Sequence, residues 1–238
     1  MLDIPLIRDS RVNINRTSLK APEFIDDTVY QSRLKNAINN CAYCGAHVYT
    51  NNEINELSEI ILSSKGKLLI DIFNDLSSNI ERQSKITPTD KLIKRKNFFN
   101  DLIQLVIKNP DAKGKEILEQ FKTNYQSNSE YYQEFLNKIN HDPKSALNYA
   151  IYPLISTIDH FVARSNAGSN NYTNYVISCM SCNNSKGNAN FNQWAQDKPN
   201  VINNLVTFFK QLIDCTSGNI SMNETGKEID ETKLILNA

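Results

Sequence analysis

The residues best suited to chemistry lie in one short stretch, from Ser156 to Asn188. It contains an Asp-His pair, a lone Asn before a short apolar run, and an Asn directly after a Cys-x-x-Cys motif. These residues are Asp159, His160, Asn174 and Asn183. Hydrolysis of a phosphodiester by water needs a base, a cation that neutralises growing charge, and a group that holds the base in place. The stretch therefore raises the hypothesis of a phosphodiester-cleaving site.

Each of these residues suits one part of that reaction. The unperturbed pKa of a histidine is about 6.5, so His160 is suited to accept a proton from water. Asp159 and Asn183 carry the hard oxygen ligands that Mg²⁺ prefers, and Asn174 can hydrogen-bond to the loop after His160 and hold it. Adjacent residues of a regular strand point to opposite faces. Asp159 and His160 can therefore serve one site only if their strand ends or bends there.

Two Cys-x-x-Cys pairs, far apart in the chain, predict one metal site. Their members are Cys41, Cys44, Cys179 and Cys182. Four thiolates make the closed tetrahedral site typical of structural Zn²⁺, and Gly45 permits the left-handed backbone that the first turn requires. His47 is an alternative ligand, but a packing or surface role is favoured because four cysteines complete the site. The fifth cysteine, Cys215, belongs to neither pair, and we expect it to be a half-buried, small apolar residue.

Composition and charge restrict the class of protein. The 238 residues are 40% hydrophobic and 22% charged, with a formal net charge of zero. These values are ordinary for a soluble globular protein and argue against a wholly basic nucleic-acid coat. No apolar run approaches the roughly 18 residues that a membrane helix needs, and the charged N-terminus has no signal-peptide core. We therefore expect a cytoplasmic protein with no membrane partner, in which paired cysteines bind metal rather than form disulfides.

Hydrophobic periodicity predicts a mostly α-helical chain of the α+β class. Apolar residues recur at helical spacing through residues 52–149. Within this segment, Thr87-Pro88-Thr89-Asp90 predicts a helix start with Thr87 as the cap, and Asn109-Pro110 predicts a stop. A short helix is also expected at 30–38.

The second half of the chain predicts two strands followed by helices. The apolar and β-branched segment Ala150–Ile158 predicts a first strand, and Asn174–Ser178 predicts a second. A helix is predicted from Cys182 past Trp194, interrupted at Gly187, and another at 201–213. The polar tail after Thr216 is expected to be loosely docked.

At the motif positions the sequence resembles the HNH endonuclease family, in its zinc-bearing branch. The resemblance rests on Asp159-His160, on Asn174 fourteen residues after the histidine, and on Asn183 nine residues further. It implies a ββα-metal unit in which His160 is the general base and Asp159 and Asn183 hold one Mg²⁺ or Mn²⁺. Asn174 is then the middle residue of the motif, and Asn183 stands where the name-giving pattern has a histidine.

Basic residues are the candidates for phosphate contacts. The resemblance implies that Lys186 faces phosphate, with Arg164 as a second candidate. A further basic cluster lies on the predicted long helix and consists of Lys91, Lys94, Arg95 and Lys96. This cluster is either a solvated face or a phosphate-contacting patch.

Periodicity and resemblance together predict four parts of the chain and a leading function. The parts are an N-terminal segment with the first cysteine pair (1–51), a helical insertion (52–149), a zinc-stabilised ββα-metal nuclease core (150–198), and a C-terminal helix with a polar tail (199–238). The leading hypothesis is a metal-dependent endonuclease that cuts DNA.

The finer biology has several candidates. The motifs are also similar to the stand-alone HNH subunits of Septu-type and retron-linked anti-phage systems, which work beside an ABC-like ATPase. A restriction or homing-type enzyme shares most of these features. Two alternatives are the same site acting on RNA, including tRNA, and a non-catalytic zinc-stabilised adaptor that binds a protein through the helical insertion. The complete set of site residues argues against the adaptor.

Overall fold

The structure, a computed structural model, describes residues 38–125, 130–168 and 174–217, with side chains up to residue 211. The first six helices of this part, which we call the helical block, are α1 (Asn51–Ser63), α2 (Gly66–Ile86), α3 (Asp90–Lys108), α4 (Gly114–Tyr125), α5 (Gln133–His141) and α6 (Pro143–Ile151). The remaining elements are β1 (Ser156–His160), β2 (Tyr175–Cys179), α7 (Met180–Lys186), α8 (Phe191–Ala195) and α9 (Val201–Ser217). The predicted fold class, mostly α-helical with a small ββα unit formed by β1, β2 and α7, is confirmed. The helix expected at 30–38 and the polar tail fall almost entirely outside the described residues.

Local sequence explains where the long helix α3 begins and ends. Its N-cap is Thr89, whose side chain accepts a hydrogen bond from the Leu92 amide at 3.3 Å. The predicted cap, Thr87, is wrong, because that residue ends α2 by donating its amide to an α2 carbonyl. The predicted stop is confirmed, since Asn109 is the C-cap of α3. A threonine on either side of Pro88 offers two possible caps, and the second of them caps α3.

An apolar core rich in aromatic rings holds the helical block together. Phe98 of α3 is fully buried, stacks on Phe135 of α5 with ring centroids 4.3 Å apart, and meets Phe121 of α4 edge-on at 4.9 Å. Helix α2 packs along α3, where the rings of Phe73 and Phe99 are 6.0 Å apart. Aromatic side chains dominate core energetics because each buries a large apolar area. None of the helices in the described ranges combines the length and apolarity needed to cross a bilayer.

The first strand is shorter than the sequence predicts. β1 begins at Ser156, whereas the predicted strand begins at Ala150. The residues between them complete α6 and form a 3-10 turn. Asp142 caps α6 by accepting hydrogen bonds from two backbone amides of its first turn, and Pro143 follows as a favourable first residue. This start signal outweighs the β-propensity of the segment.

The antiparallel ladder of β1 and β2 places Asp159 and His160 at one end of the sheet. Asp159 lies opposite Val176, and His160 lies opposite Tyr175. Helix α7 follows directly from β2 and ends before Gly187, whose φ of 48° interrupts the helix where the sequence predicts. The two strands and α7 therefore form one continuous ββα unit.

One face of α2 joins the helical block to the segments around the ββα unit. The Asn79 side-chain oxygen accepts a hydrogen bond from the His47 amide at 2.9 Å. One turn later, Gln83 Nε2 donates to the Pro153 carbonyl at 2.6 Å in a buried contact. Residues four apart share a helix face, so α2 contacts both the first cysteine loop and the approach to β1.

Candidate active site and metal centre

The four paired cysteines meet in one place, which we call the cysteine cluster. Its members are Cys41, Cys44, Cys179 and Cys182. All four are buried, and their Sγ atoms lie within 4.8 Å of one another. The Sγ atoms of Cys44 and Cys179 are 3.9 Å apart, close to the separation of about 3.8 Å that a tetrahedral Zn²⁺ with bonds of about 2.3 Å imposes. The prediction that these cysteines are positioned to bind one metal ion is confirmed, and they fit a structural zinc site.

Two different turns bring the thiols together. In the first, the Gly45 amide donates to the Cys41 carbonyl at 2.9 Å, and Gly45 has a φ of 68°. This is the left-handed conformation that the sequence predicts there, and a Cβ at Gly45 would lie 3.0 Å from Asn204 Oδ1. In the second, Cys179 is the N-cap of α7, and its Sγ accepts a hydrogen bond from the Cys182 amide at 3.4 Å. The cluster therefore anchors the first turn of α7.

Crowding in the cluster shifts the pKa values of the Cys41, Cys44 and Cys182 thiols. Hydrogen bonding with Cys179 is the largest cause of the raised pKa of both Cys44 and Cys182. Burial raises the pKa of Cys41, but hydrogen bonds from the three neighbouring thiols outweigh burial and leave its pKa lowered. Metal ligation requires all four thiols to lose their protons, and a bound cation supplies the compensating charge.

His47 lies outside the cysteine cluster. Among the described residues, the metal-ligating group at this point consists of cysteines only. The His47 ring packs edge-on against Tyr49, with centroids 4.5 Å apart. Burial lowers the pKa of this imidazole. His47 therefore has the packing role that its sequence context favours.

The Asp159 carboxylate is buried between the first cysteine loop and α7. Its Oδ2 accepts a hydrogen bond from the Tyr43 hydroxyl at 2.5 Å and pairs with Lys186 Nζ at 3.0 Å. Burial raises the pKa of Asp159, and the Lys186 charge and the Tyr43 hydroxyl offset only part of this effect. Strand β1 ends at the next residue, His160, which is where a site shared by the two residues requires the strand to end or bend.

Lys186 is buried in this structure and does not face outward to a phosphate. Its side chain has no exposed surface. Besides its ion pair with Asp159, its Nζ donates to the His160 carbonyl at 2.9 Å. The expectation of a phosphate-facing Lys186 is therefore corrected. Because α7 packs on β1, the lysine reaches the end of the strand, where its charge compensates a buried carboxylate.

Asn183 lies one turn before Lys186 on α7 and contacts the same strand. Its Nδ2 donates to Thr157 Oγ1 at 3.0 Å and to the Ile158 carbonyl at 3.3 Å. A carbonyl can only accept, so the amide nitrogen faces the strand and Oδ1 makes neither bond. Thr157 and Asp159 share one face of β1. Asn183 and Asp159 are therefore neighbours along one surface of the unit.

Asn174 holds the loop that follows His160. It is fully buried, its Oδ1 accepts from the Val162 amide, and its Nδ2 donates to the Val162 carbonyl, both at 2.8 Å. Its own carbonyl accepts from the Phe161 amide at 2.7 Å. The half-buried His160 ring meets the Tyr175 ring edge-on, with centroids 5.0 Å apart. The backbone that follows the histidine is thus fixed by hydrogen bonds to Asn174.

The basic residues of the long helix do not form one exposed patch. They are Lys91, Lys94, Arg95 and Lys96. Arg95 is buried, and its guanidinium lies 4.4 Å from the centre of the Tyr149 ring. Lys96 pairs with Glu81 of α2 at 3.0 Å. Helix α3 turns Arg95 towards α6 and Lys96 towards α2. The four basic residues therefore do not form the single surface patch that phosphate contact would need.

Arg164 is exposed on the loop between the two strands. It begins a short 3-10 turn, Arg164–Asn166. Asn166 Nδ2 donates to the Asn188 carbonyl at 2.9 Å, which ties this loop to the chain after α7. Arg164 takes part in none of the ion pairs found in the described ranges. Its guanidinium therefore lies on the surface, four residues from His160.

The two strands and α7 carry Asp159, His160 and Asn183, and Asn174 immediately precedes β2. Residues 151–189 match the family model of HNH endonucleases. This HNH match covers the ββα unit and the second cysteine pair, and it leaves the helical block and the first pair outside. No curated protein and no solved structure matches the chain. The match indicates a nuclease, and hence a nucleic-acid substrate.

The donor set at the end of β1 fits the divalent ion that HNH nucleases use. Asp159 and Asn183 both offer hard oxygen atoms. The two bonds to the Asp159 carboxylate are to Oδ2, and the two bonds of the Asn183 amide are from Nδ2. The Oδ1 atom of each residue takes part in none of these bonds, and this chemistry fits Mg²⁺ or Mn²⁺.

Sequence reasoning missed one residue that touches this site. Tyr43 lies inside the first Cys-x-x-Cys pair and has no exposed surface. Burial is the main cause that raises the pKa of its hydroxyl, so the hydroxyl stays protonated and donates to Asp159. The available signal was the tyrosine of Cys-x-Tyr-Cys itself, a large polar residue in a turn that must be buried with its cysteines.

Proposed function

We propose that the chain is a metal-dependent endonuclease that hydrolyses phosphodiester bonds of DNA, leaving 5′-phosphate and 3′-hydroxyl ends. The HNH match over residues 151–189 carries the proposal. Asp159, His160 and Asn183 lie in the matched unit, and the cysteine cluster anchors the helix that carries Asn183. We assign Zn²⁺ to the cysteine cluster, because four thiolates at tetrahedral separation are its preferred ligands.

His160 is the general base in this proposal. A nitrogen of its ring takes a proton from the attacking water while the water oxygen bonds to phosphorus. The bond from phosphorus to the 3′ oxygen breaks, and that oxygen takes a proton from solvent. Asn174 keeps the histidine loop in position through its two hydrogen bonds to Val162.

Asp159 and Asn183 hold one Mg²⁺ or Mn²⁺ in this proposal. When bound, such an ion neutralises charge that grows on the phosphate and the leaving oxygen. The two ligands come from different elements, β1 and α7, so their relative position depends on how α7 packs. Lys186 adds a fixed positive charge at 3.0 Å from Asp159. Arg164 is an exposed basic residue of the loop between β1 and β2 and can contact phosphate.

The role of His160 is tested by nicking of supercoiled plasmid with Mg²⁺ or Mn²⁺. We expect His160→Ala to lower the rate by about 10²–10⁴-fold, the usual contribution of a general base. His141→Ala is the matched control, because His141 is exposed in the last turn of α5, and it should nick at the wild-type rate. Both variants are compared at equal zinc content. Wild-type nicking by His160→Ala overturns the mechanism.

The choice of DNA is tested by digesting plasmid, single-stranded DNA and total RNA side by side. We expect plasmid to be cut fastest. Degradation of RNA or tRNA while DNA stays intact supports the alternative of an RNA-cleaving HNH enzyme acting through the same residues.

We also propose that the enzyme serves anti-phage defence in the cytoplasm, beside an ABC-like ATPase. The motif resemblance and the helical insertion (52–149), which lies outside the HNH match, support this role. The test is co-purification with an ATPase encoded next to it, followed by phage plating on cells that carry both genes. Protection that is lost with His160→Ala supports the proposal, and protection without the ATPase gene contradicts it.

A further inference from the structure

Tyr43 links the cysteine cluster to the candidate catalytic carboxylate. Its hydroxyl donates to Asp159 Oδ2 at 2.5 Å across 116 positions of sequence. Its backbone amide lies 3.4 Å from Cys41 Sγ, in the same turn. One residue thus contacts both the thiolate loop and the carboxylate.

Neighbouring elements leave Tyr43 little freedom to move. Its carbonyl accepts a hydrogen bond from Asn204 Nδ2 of α9 at 2.9 Å. Its ring packs against Trp194 and Phe191 of α8, with centroids 5.1 and 6.0 Å apart. A side chain confined on this many sides presents its hydroxyl at a defined point.

The confined hydroxyl fixes the rotation of the Asp159 carboxylate. Tyr43 and Lys186 both bond to Oδ2, which turns that oxygen towards the protein interior. Oδ1 is then the carboxylate oxygen that takes part in neither of these bonds. Hydrogen bonds to a ligating carboxylate orient it and raise its affinity for a metal ion.

We propose that Tyr43 is the positioning residue that sets Asp159 for the divalent ion. The inference rests on the proposed function, because it takes Asp159 as a ligand of that ion. It adds a specific route by which the cysteine cluster acts on catalysis: the cluster shapes the turn, the turn places the tyrosine, and the tyrosine orients the carboxylate.

Tyr43→Phe removes only the hydroxyl and keeps the ring among its aromatic neighbours. Tyr49→Phe is the matched control, since Tyr49 is a half-buried tyrosine of the same segment whose ring packs on His47. Asp159→Ala serves as the reference for loss of the ligand, because an asparagine there would keep an amide oxygen that can bind the ion. The measurement is Mn²⁺ binding by electron paramagnetic resonance of the free ion, with zinc content and Tm determined on the same samples.

We expect Tyr43→Phe to weaken Mn²⁺ binding by about 10- to 100-fold, the usual effect of removing such a supporting bond. Zinc content should stay at the wild-type level, and Tyr49→Phe should bind Mn²⁺ like the wild type. The Mn²⁺-induced rise in Tm gives a second reading, because it reports affinity on folded protein even when a variant is destabilised.

Two failures can be told apart. If Asp159→Ala abolishes Mn²⁺ binding while Tyr43→Phe binds as tightly as the wild type, the positioning role is overturned and the proposed ligand stands. If Asp159→Ala itself binds Mn²⁺ normally, the ligand assignment of the proposed function is overturned, and the role of Tyr43 falls with it.

Discussion

The helical block and the ββα unit are held together by different forces. Phe98 and Phe135 stack at the centre of the block, in an apolar core that continues into the ββα unit. The ββα unit has two five-residue strands and a seven-residue helix. A two-stranded sheet is only marginally stable by itself, and so is a helix shorter than about 12 residues. The buried side chains of the unit include the thiols of Cys179 and Cys182 and the charged groups of Asp159 and Lys186.

This difference shows that the candidate catalytic residues and the larger part of the apolar core lie in different regions of the molecule. The residues that can act on a phosphodiester lie in the unit with the smaller hydrophobic core. A buried ion pair such as Asp159–Lys186 contributes little net stability, because desolvation offsets its attraction. We therefore expect the unit to depend on a metal in the cysteine cluster and on its contacts with the block.

The largest expected effect comes from removing one cysteine of the cluster. Structural zinc contributes roughly 10–16 kcal/mol in small zinc peptides, as much as the net stability of about 5–15 kcal/mol of a whole domain. We expect Cys44→Ala and Cys182→Ala to accumulate as insoluble protein without zinc. Solubility after expression and metal content by mass spectrometry measure this outcome.

Cys215→Ala is the control for that experiment, because Cys215 belongs to neither Cys-x-x-Cys pair. It should be soluble and carry wild-type zinc. Soluble, zinc-free and active Cys182→Ala protein would show that the ββα unit does not depend on the cluster, and the contrast between the two regions would be lost.

A large but different effect is expected in the core of the block. Phe98→Ala leaves a cavity among Phe135, Phe121 and Phe99, and such substitutions cost about 3–5 kcal/mol. Urea denaturation should show this loss of stability, whereas the zinc content of the folded protein should be unchanged. A zinc loss that parallels the loss of stability would mean that the two regions unfold as one.

The smallest of these effects is expected at the junction. Gln83→Leu removes the hydrogen bond from α2 to the Pro153 carbonyl, and an unsatisfied buried carbonyl costs about 1–3 kcal/mol. The variant also removes Gln83 Oε1, a buried oxygen without a partner, so the net loss should lie near the lower end. Gln133→Leu, at an exposed position of α5, is the control and should leave the urea midpoint unchanged. Equal midpoints for both variants would show that this contact does not couple the regions.

Spacing made the metal cluster predictable, whereas tertiary contacts hid other parts of the site. Cys179 and Cys182 repeat the spacing of Cys41 and Cys44, and this chemistry needs no knowledge of the fold. The burial of Lys186 arises only when α7 packs on β1, and a lysine before a glycine resembles an exposed helix end. The bond from Tyr43 to Asp159 joins residues 116 positions apart, a separation over which local pattern carries no information.

The helices and strands, like the site, are predictable from the sequence only in part. Periodicity located the long helices of the block, because their apolar faces repeat over several turns. The segment before β1 was predicted as strand, because Ala150, Ile151 and Ile155 are apolar or β-branched. The cap at Asp142 and packing against α1 make its first part helical instead.

We propose that two metal centres flank one helix turn, with Cys182 turned to zinc and the adjacent Asn183 turned to the catalytic ion. Anomalous diffraction from a crystal soaked in Mn²⁺ tests it directly, with data at the zinc and manganese absorption edges. We expect a zinc peak among the four Sγ atoms and a manganese peak beside Asp159 and Asn183. A manganese peak elsewhere, or no zinc within the cysteine cluster, would contradict it.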